Sequence, residues 1–161
     1  MPGLEDLYRE IILDHYRNPR NRGELPTPPA VRSEGFNPLC GDEVQVYLDV
    51  HDGVVDDIRI SGQGCSISQS SASMMSQAIK GRSVREARAL LHAFKSMMSI
   101  EDGHDRDDAA DAEPGVKMGD LEALQGVVKY PVRIKCATLA WNTLAQGLDE
   151  AEVAAGDPSS N

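Results

Sequence analysis

One alternating stretch, residues 44–50, constrains the fold of this chain more than any other feature. Valine or leucine occupies every second position, and the residues between them are more polar. A period of two is typical of a β-strand that buries one face. Asp52-Gly53 then favours a tight turn, and a second alternating run follows over residues 54–61. We therefore predict an antiparallel β-hairpin.

Helical periodicity flanks this hairpin on both sides. Apolar residues recur at three- and four-residue steps before the hairpin and again after it, as they do on the buried face of a helix. One helix, then a small antiparallel sheet, then further helices is the order of an α+β fold packed around one sheet. The predicted elements are a helix over 4–16, a short strand over 30–36, the hairpin strands, and helices over 66–80, from 83, over 120–126 and from 136.

The length and the distribution of charge predict the domain organisation. A chain of 161 residues is long enough for a single domain with its own core. The net charge of −10 is uneven, since residues 101–113 contribute −6, the end of the chain from Asp149 contributes −4, and the rest is neutral. We predict one domain over 1–148, with an acidic insert at 101–119 and a flexible acidic tail at 149–161.

The composition argues against several classes of partner and location. No run of about 18 apolar residues occurs, so no membrane span is predicted. The first residues, MPGLEDLYRE, lack the basic and then apolar pattern of a signal peptide, so we expect a cytoplasmic location. The chain also lacks the basic footprint that nucleic acid requires.

The three cysteines lie at the boundaries of predicted elements. Cys40 precedes the first hairpin strand, Cys65 joins the second strand to a helix, and Cys136 begins the last helix. Asp42 follows Cys40 by two positions, which places both on the same side of an extended chain. The partial positive charge of a helix start favours a thiolate there. Three thiolates and a carboxylate match the ligands of a tetrahedral zinc ion.

Spacing alone leaves other interpretations open. An odd number of cysteines argues against a disulfide framework in a cytosolic chain, but three unconnected cysteines would fit the same pattern. No CxxC pair occurs, which excludes zinc ribbons and rubredoxin-like knuckles. His15 is expected to be packed near the end of its helix. Arg17, Arg20 and Arg22 form either a solvated loop or a docking edge for a partner.

Three motifs, in order, resemble the IscU/NifU-like iron–sulfur cluster assembly family. They are CGDEV at 40–44, GCSISQSSASMM at 64–75 and RIKCATLAW at 133–141, and the resemblance runs from LYREIILDHYRNPRN at 7–21 to about Leu148. It implies the α+β scaffold fold of that family. It also implies that four metal ligands gather at one exposed end of the sheet: Cys40, Asp42, Cys65 and Cys136.

Two departures from the scaffold pattern resemble the SufU branch of this family. Lys135 stands directly before the third cysteine, where scaffold-type members have histidine, and the chain carries the insert at 101–119. The SufU resemblance implies a zinc protein that accepts persulfide sulfur from a SufS-type cysteine desulfurase. Downstream iron–sulfur assembly proteins would then receive the sulfur. Cys40 is the expected acceptor, because it lies on a predicted loop and the family assigns this role to the matching cysteine.

The mechanism expected from this resemblance is ligand exchange at the zinc ion. A ligand of the desulfurase would displace Cys40, whose thiolate would attack the partner's persulfide and take its outer sulfur. Arg133 and Lys135 are expected to offset the negative charge of the site. Two alternatives stay open at this point. The same four ligands would suit a scaffold for building a 2Fe–2S cluster, and a zinc-structured protein would suit a non-enzymatic activator of the desulfurase.

Overall fold

Three antiparallel strands form the sheet that the alternating pattern predicts. Their order is β1 (Val31–Asn37), β2 (Asp42–His51) and β3 (Val54–Gln63), with β2 in the middle. This computed structural model describes residues 2–27, 30–38, 41–98 and 119–156. Cys40, most of the acidic insert and the last five residues of the chain lie outside the described residues, so predictions that concern their structure stay predictions.

The predicted hairpin forms with its apolar residues on one face. Val46 of β2 faces Ile60 of β3 across the ladder, and both are buried. Asp52 and Gly53 join the two strands with left-handed φ angles of 52° and 77°. Two successive positive φ angles are what a type I′ turn requires, and this turn matches the twist of antiparallel strands. The residues of the turn therefore favour the same antiparallel pairing of β2 with β3 that the structure shows.

Helices cover the apolar face of the sheet. The last helix crosses β1 and β2 and packs against the helix that follows β3, which in turn packs against the first helix. This architecture confirms the α+β prediction. In the described part of the chain the helices are α1 (Pro2–Arg17), α2 (Ser66–Ile79), α3 (Val84–Met98), a 3-10 helix (Gly119–Lys129) and α4 (Pro131–Gly156). None of them is both long enough and apolar enough to cross a membrane.

One apolar core joins the sheet to the helices. The ring of Trp141 in α4 stacks on the ring of Phe94 in α3, with 4.5 Å between centroids and 14° between planes. Both side chains are fully buried. The last helix packs one face into this core, and five residues on that face are almost completely excluded from solvent: Ala137, Ala140, Trp141, Leu144 and Leu148.

The last helix begins earlier than the sequence pattern predicts. It starts at Pro131, so Cys136 lies in its second turn and the prediction that Cys136 begins the helix is wrong. Proline is well suited to the first helical position, because its φ is already helical and its missing N–H would have no partner there. The short helix predicted over 120–126 is also longer, and it has 3-10 rather than α geometry.

The far end of α4 continues past the boundary predicted for the domain. Residues 149–156 are helical, and the guanidinium of Arg88 in α3 lies 2.9 Å from the Asp149 carboxylate and 2.6 Å from that of Glu152. These contacts hold the first part of the predicted tail against α3. The predicted boundary between the domain and the tail at residue 148 stays a prediction.

The segment after α1 is bound between the sheet and α2. Gly23 N–H donates to the Ile60 carbonyl and Ile60 N–H donates to the Asn21 carbonyl, each at 2.9 Å, which adds a short parallel bridge to β3. Arg20 N–H donates to Ser73 Oγ at 2.8 Å. His15 is fully buried with Nδ1 2.8 Å from the same hydroxyl, as predicted for a packed residue.

Candidate metal centre

Three potential metal ligands converge where β2 meets two helices. The ligand atoms of Asp42, Cys65 and Cys136 all lie within 4.8 Å of one another. Asp42 is the first residue of β2, Cys65 immediately precedes α2, and Cys136 lies in the second turn of α4. Among the described residues, this is the one cluster of three or more such side chains that could hold a metal ion.

The Asp42 carboxylate is the one oxygen donor of this cluster. Its residue is completely excluded from solvent. Oδ1 accepts a hydrogen bond of 3.0 Å from the Cys65 backbone N–H, and Oδ2 lies 4.0 Å from Cys65 Sγ. A buried ionised carboxylate is costly unless hydrogen bonds or a cation compensate it. The single backbone bond to Oδ1 leaves Oδ2 directed toward the sulfur atoms.

Cys65 occupies the N-cap position of α2, which confirms its predicted place at a helix start. Its backbone is extended, with φ −73° and ψ 172°, and its side chain makes no capping hydrogen bond. The thiol is half-buried. The N-terminal end of α2 therefore places its partial positive charge next to the cluster. Because the thiol makes no capping bond, its sulfur atom is available as a metal ligand.

Cys136 approaches the cluster from the side of a helix. It is completely buried, and its Sγ lies 4.0 Å from the carbonyl oxygen of Val132 one turn earlier. Because α4 already begins at Pro131, the helix-terminus charge expected to favour the Cys136 thiolate does not act directly on it. Its position depends instead on how α4 packs across the sheet and against α2.

Glycines let the backbone pass close to the Asp42 carboxylate. A β-carbon at Gly64 would lie only 2.5 Å from Asp42 Oδ1 and 2.6 Å from Ser68 Oγ. Gly41, which directly precedes Asp42, has a left-handed φ of 73° that favours glycine. This angle suits a change of chain direction directly before Asp42. The steric requirement at Gly64 is not visible in the sequence, which shows only a glycine-rich turn.

Arg133 places a positive charge beside the two thiols. The negative charge of Cys65 raises the pKa of the Arg133 guanidinium, and a hydrogen bond to Cys136 adds to this effect. The arginine is exposed and lies one turn before Cys136 on α4. Arg133 thus interacts with both thiols, and its expected part in offsetting the charge of the site stays a prediction. Lys135 is also exposed, and its expected contribution to the charge balance stays a prediction.

Large apolar side chains are exposed on or next to the elements that carry the cluster. Tyr130 and Val132, each 62% exposed, lie just before Arg133, and Phe36, 59% exposed, lies on β1 opposite Glu43, the neighbour of Asp42. Exposed aromatic residues are common at the centres of protein interfaces. Sequence reasoning did not identify this exposure, because it depends on which faces the fold leaves uncovered.

The donor set and its spacing fit a thiophilic metal ion. In a tetrahedral zinc site thiolate lies about 2.3 Å and carboxylate about 2.0–2.2 Å from the ion, so two ligand atoms lie about 3.6–3.8 Å apart. The three ligand atoms here lie within 4.8 Å of one another, so movements of at most about 1 Å would bring them onto one ion. Two sulfur donors do not suit magnesium or calcium, which prefer oxygen ligands.

The fold and this cluster together define a class: an α+β domain that could hold a metal ion between the end of a sheet and two helices. Residues 7–137 match the family described as NifU-like N terminal domain. The chain belongs to this family, as a SufU-type member of the IscU/NifU-like group. The resemblance predicted from the three motifs is therefore confirmed.

Individual relatives cover almost the whole chain. It is 45% identical over 149 residues to the "zinc-dependent sulfurtransferase SufU" of Bacillus subtilis, covering 92% of this chain and 94% of the relative. It is 37% identical to the "iron-sulfur cluster assembly scaffold protein IscU" of Streptococcus pyogenes, with 90% and 84% covered. The crystal structure of the N-terminal part of a NifU-like protein from Brucella abortus superposes with a TM-score of 0.76 at 28% identity, with 92% and 96% covered.

Proposed function

We propose that this protein is a zinc-dependent sulfur carrier that accepts persulfide sulfur from a SufS-type cysteine desulfurase in iron–sulfur cluster assembly. The observation that carries the proposal is the convergence of the buried Asp42 carboxylate with the thiols of Cys65 and Cys136. The similarity to a zinc-dependent sulfurtransferase along 92% of the chain supports the same activity. A cytoplasmic location goes with this proposal and stays a prediction.

Zinc is the ion that the donor set favours. The proposed ligands are Cys40, Asp42, Cys65 and Cys136, which would close a tetrahedral sphere of three sulfur atoms and one oxygen atom. When bound, zinc holds thiolates deprotonated and in place without taking part in redox chemistry. The exposed guanidinium of Arg133 would offset part of the negative charge that such a site carries.

Cys40 is the proposed sulfur acceptor. Its thiolate would attack the outer sulfur of the desulfurase persulfide, forming a new S–S bond while the S–S bond of the partner breaks. The partner's cysteine leaves as a thiolate, and the proton of the persulfide stays on the transferred sulfur or passes to solvent. No net oxidation occurs, because a persulfide is exchanged for a persulfide.

Burial of the other thiols supports this assignment. Cys136 is completely buried, so the cysteine of a partner protein has no direct line of attack on it. Cys65 is half-buried and lies at the start of α2. Gly41, which directly follows Cys40, has a left-handed φ. This conformation suits a segment that changes direction before β2.

The exposed apolar residues beside the cluster support a docking surface for the desulfurase. Phe36, Tyr130 and Val132 are each more than half exposed. Docking there would bring the partner's persulfide to the end of the sheet where the ligands converge. Downstream iron–sulfur assembly proteins are the proposed recipients of the sulfur.

Mass spectrometry tests the sulfur-carrier proposal. The zinc-loaded protein is incubated with a SufS-type desulfurase and cysteine, and its thiols are then alkylated and digested. We expect the added sulfur on Cys40, and a Cys40→Ala control should carry none. Persulfide on Cys65 or Cys136 with unmodified Cys40 would refute the assignment. If Cys40→Ala still stimulates the desulfurase fully, the protein acts as an activator instead of a carrier.

A scaffold for building an iron–sulfur cluster is the second candidate function. The 37% identity to a scaffold protein favours it, since the same four ligands would serve a 2Fe–2S cluster. Lys135 at the position where scaffold-type members have histidine argues against it. Metal analysis separates the two functions: zinc that resists replacement by iron supports the carrier, and a coloured, oxygen-sensitive product supports the scaffold.

A further inference from the structure

A buried hydrogen-bonded bridge joins the two helices that carry Cys65 and Cys136. Ser71 Oγ in α2 donates to the carbonyl oxygen of Ala137 in α4 at 2.6 Å, and it accepts a hydrogen bond of 3.1 Å from Trp141 Nε1. Ser71 and Trp141 are both completely buried. The hydroxyl of Ser71 thus both donates and accepts a hydrogen bond across the interface between α2 and α4.

This bridge differs from the contacts of the other buried serines of α2. Ser70 Oγ donates to the Ile67 carbonyl at 3.2 Å, which is a local bond inside its own helix. The side chains of the remaining buried serines of α2 form hydrogen bonds either to a carbonyl three residues earlier or to α1 and the segment that follows α1. They are Ser68, Ser73 and Ser76. In the described part of the chain, Ser71 is therefore the serine that ties α2 to α4.

The bridge lies close to both thiols along the chain. Ala137 directly follows Cys136, and Ser71 lies six positions after Cys65. Six residues of α-helix span about 9 Å, so the bridge anchors α2 less than two turns from the N-cap that carries Cys65. A slide or rotation of one helix against the other would stretch both hydrogen bonds and change the separation of the two sulfur atoms.

We propose that Ser71 is a positioning residue for the metal centre: it sets the distance between Cys65 and Cys136 by fixing α2 against α4. This inference rests on the proposed zinc site. Two thiolates on one tetrahedral zinc ion lie about 3.8 Å apart, and ligand distances must be met to about 0.2 Å. Displacements of about half an ångström between the helices are therefore large for the metal, although they are small for an apolar interface.

Trp141 directs the serine proton toward its acceptor. Because the indole N–H donates to Ser71 Oγ, the hydroxyl proton is left to point at the Ala137 carbonyl. Stacking on Phe94, with 4.5 Å between ring centroids, holds the indole in this orientation. The bridge therefore consists of two consecutive hydrogen bonds, from Trp141 to Ser71 and from Ser71 to Ala137, and the first bond orients the donor of the second.

The decisive experiment compares metal binding by Ser71→Ala and by a matched control, Ser70→Ala. Both variants remove a completely buried hydroxyl from α2, but only the first removes the bridge to α4. Zinc affinity is measured by competition with a chromogenic chelator, and the cobalt-substituted proteins are compared by their visible spectra. We expect Ser71→Ala to bind zinc about tenfold more weakly and to show shifted cobalt bands. Ser70→Ala should match the wild type in both measurements.

Thermal unfolding of the metal-free proteins separates positioning from general stability. If Ser71 is merely structural, Ser71→Ala lowers the melting temperature but keeps the affinity and cobalt spectrum of Ser70→Ala, and the inference is overturned. If Ser71→Ala does not fold, Trp141→Phe decides, with Phe94→Leu as the control for lost ring packing. Unchanged zinc affinity in Trp141→Phe overturns the inference, and weaker binding than in Phe94→Leu supports it. A wild-type protein that binds neither zinc nor cobalt would instead contradict the proposed function.

Discussion

Replacing Gly64 with alanine should disturb the fold and the candidate metal centre together, because the added β-carbon would overlap the Asp42 carboxylate. The added β-carbon would lie 2.5 Å from Asp42 Oδ1 and 2.6 Å from Ser68 Oγ. Ordinary contacts of a β-carbon begin at 3.4 Å, so the difference from 2.5 Å requires a movement of roughly 0.9 Å. The serine hydroxyl can rotate away, but the buried carboxylate has to shift as a whole.

The expected cost follows from the hydrogen bond that this movement breaks. Asp42 Oδ1 accepts from the Cys65 N–H at 3.0 Å, and a displacement of that size takes the pair beyond hydrogen-bonding distance. Losing a hydrogen bond to a charged group costs about 1.5–3 kcal/mol, and overpacking costs about 1–3 kcal/mol. Because the shift that breaks the bond also relieves the overlap, we expect the free energy of unfolding to fall by about 2–4 kcal/mol in total.

Circular dichroism of the metal-free protein measures this loss as a lower melting temperature. For a domain of this size the expected shift is about 5–15 °C. Gly126→Ala is the matched control, since a β-carbon at Gly126 meets no atom within 4 Å, and it should melt at or slightly above the wild-type temperature. The affinity for zinc should fall in Gly64→Ala and stay at the wild-type value in Gly126→Ala. If Gly64→Ala melts and binds zinc like Gly126→Ala, the reasoning about this close approach is refuted.

Three further substitutions test the site and its surroundings. Asp42→Asn replaces a carboxylate of the proposed ligand set by an amide and should weaken zinc binding by at least about tenfold, measured by chelator competition. Unchanged affinity would remove Asp42 from the proposed ligand set. Arg133→Gln should slow sulfur transfer from the desulfurase about two- to fivefold at low salt, because the charge beside Cys65 is exposed and partly screened, and a rate equal to wild type would contradict this role. Ser83→Ala should lower the free energy of unfolding by about 1 kcal/mol in urea, because the reciprocal 3.0 Å bonds between Ser83 and Glu86 cap α3. Ser83→Ala should transfer sulfur normally, so a loss of transfer there would show that remote stability affects the assay.

The elements of the fold were predictable because their signals are local. Alternation over residues 44–50 and the Asp52-Gly53 turn predict the hairpin, since both depend only on neighbouring residues. Cys65 at a helix start follows from the same kind of signal, a glycine-rich turn that precedes a helical period. The predicted start of α4 at Cys136 was wrong, because the helix already begins at Pro131, where proline suits the first helical position.

The family and the proposed ligand set were also accessible from the sequence, through short motifs. Asp42, Cys65 and Cys136 each lie within one of three motifs that occur in order along the chain. Their spacing along the chain does not show that they meet, because Cys65 lies 23 positions after Asp42 and Cys136 lies 71 positions after Cys65. The motif resemblance supplied that expectation, and the structure brings the three ligand atoms to within 4.8 Å.

Tertiary structure decided the features that depend on how distant elements pack. The hydrogen bond from Ser71 to Ala137 joins residues 66 positions apart, and its existence depends on how α2 and α4 cross. The contact of Arg133 with Cys65 and the close approach of Gly64 to Asp42 depend on packing in the same way. The sequence by itself determined the order of the helices and strands, the hairpin and the family, because local periodicity and motifs encode them. The geometry of the metal centre came only from the tertiary structure, because ångström-scale distances between separate elements are set by the packing of the whole core.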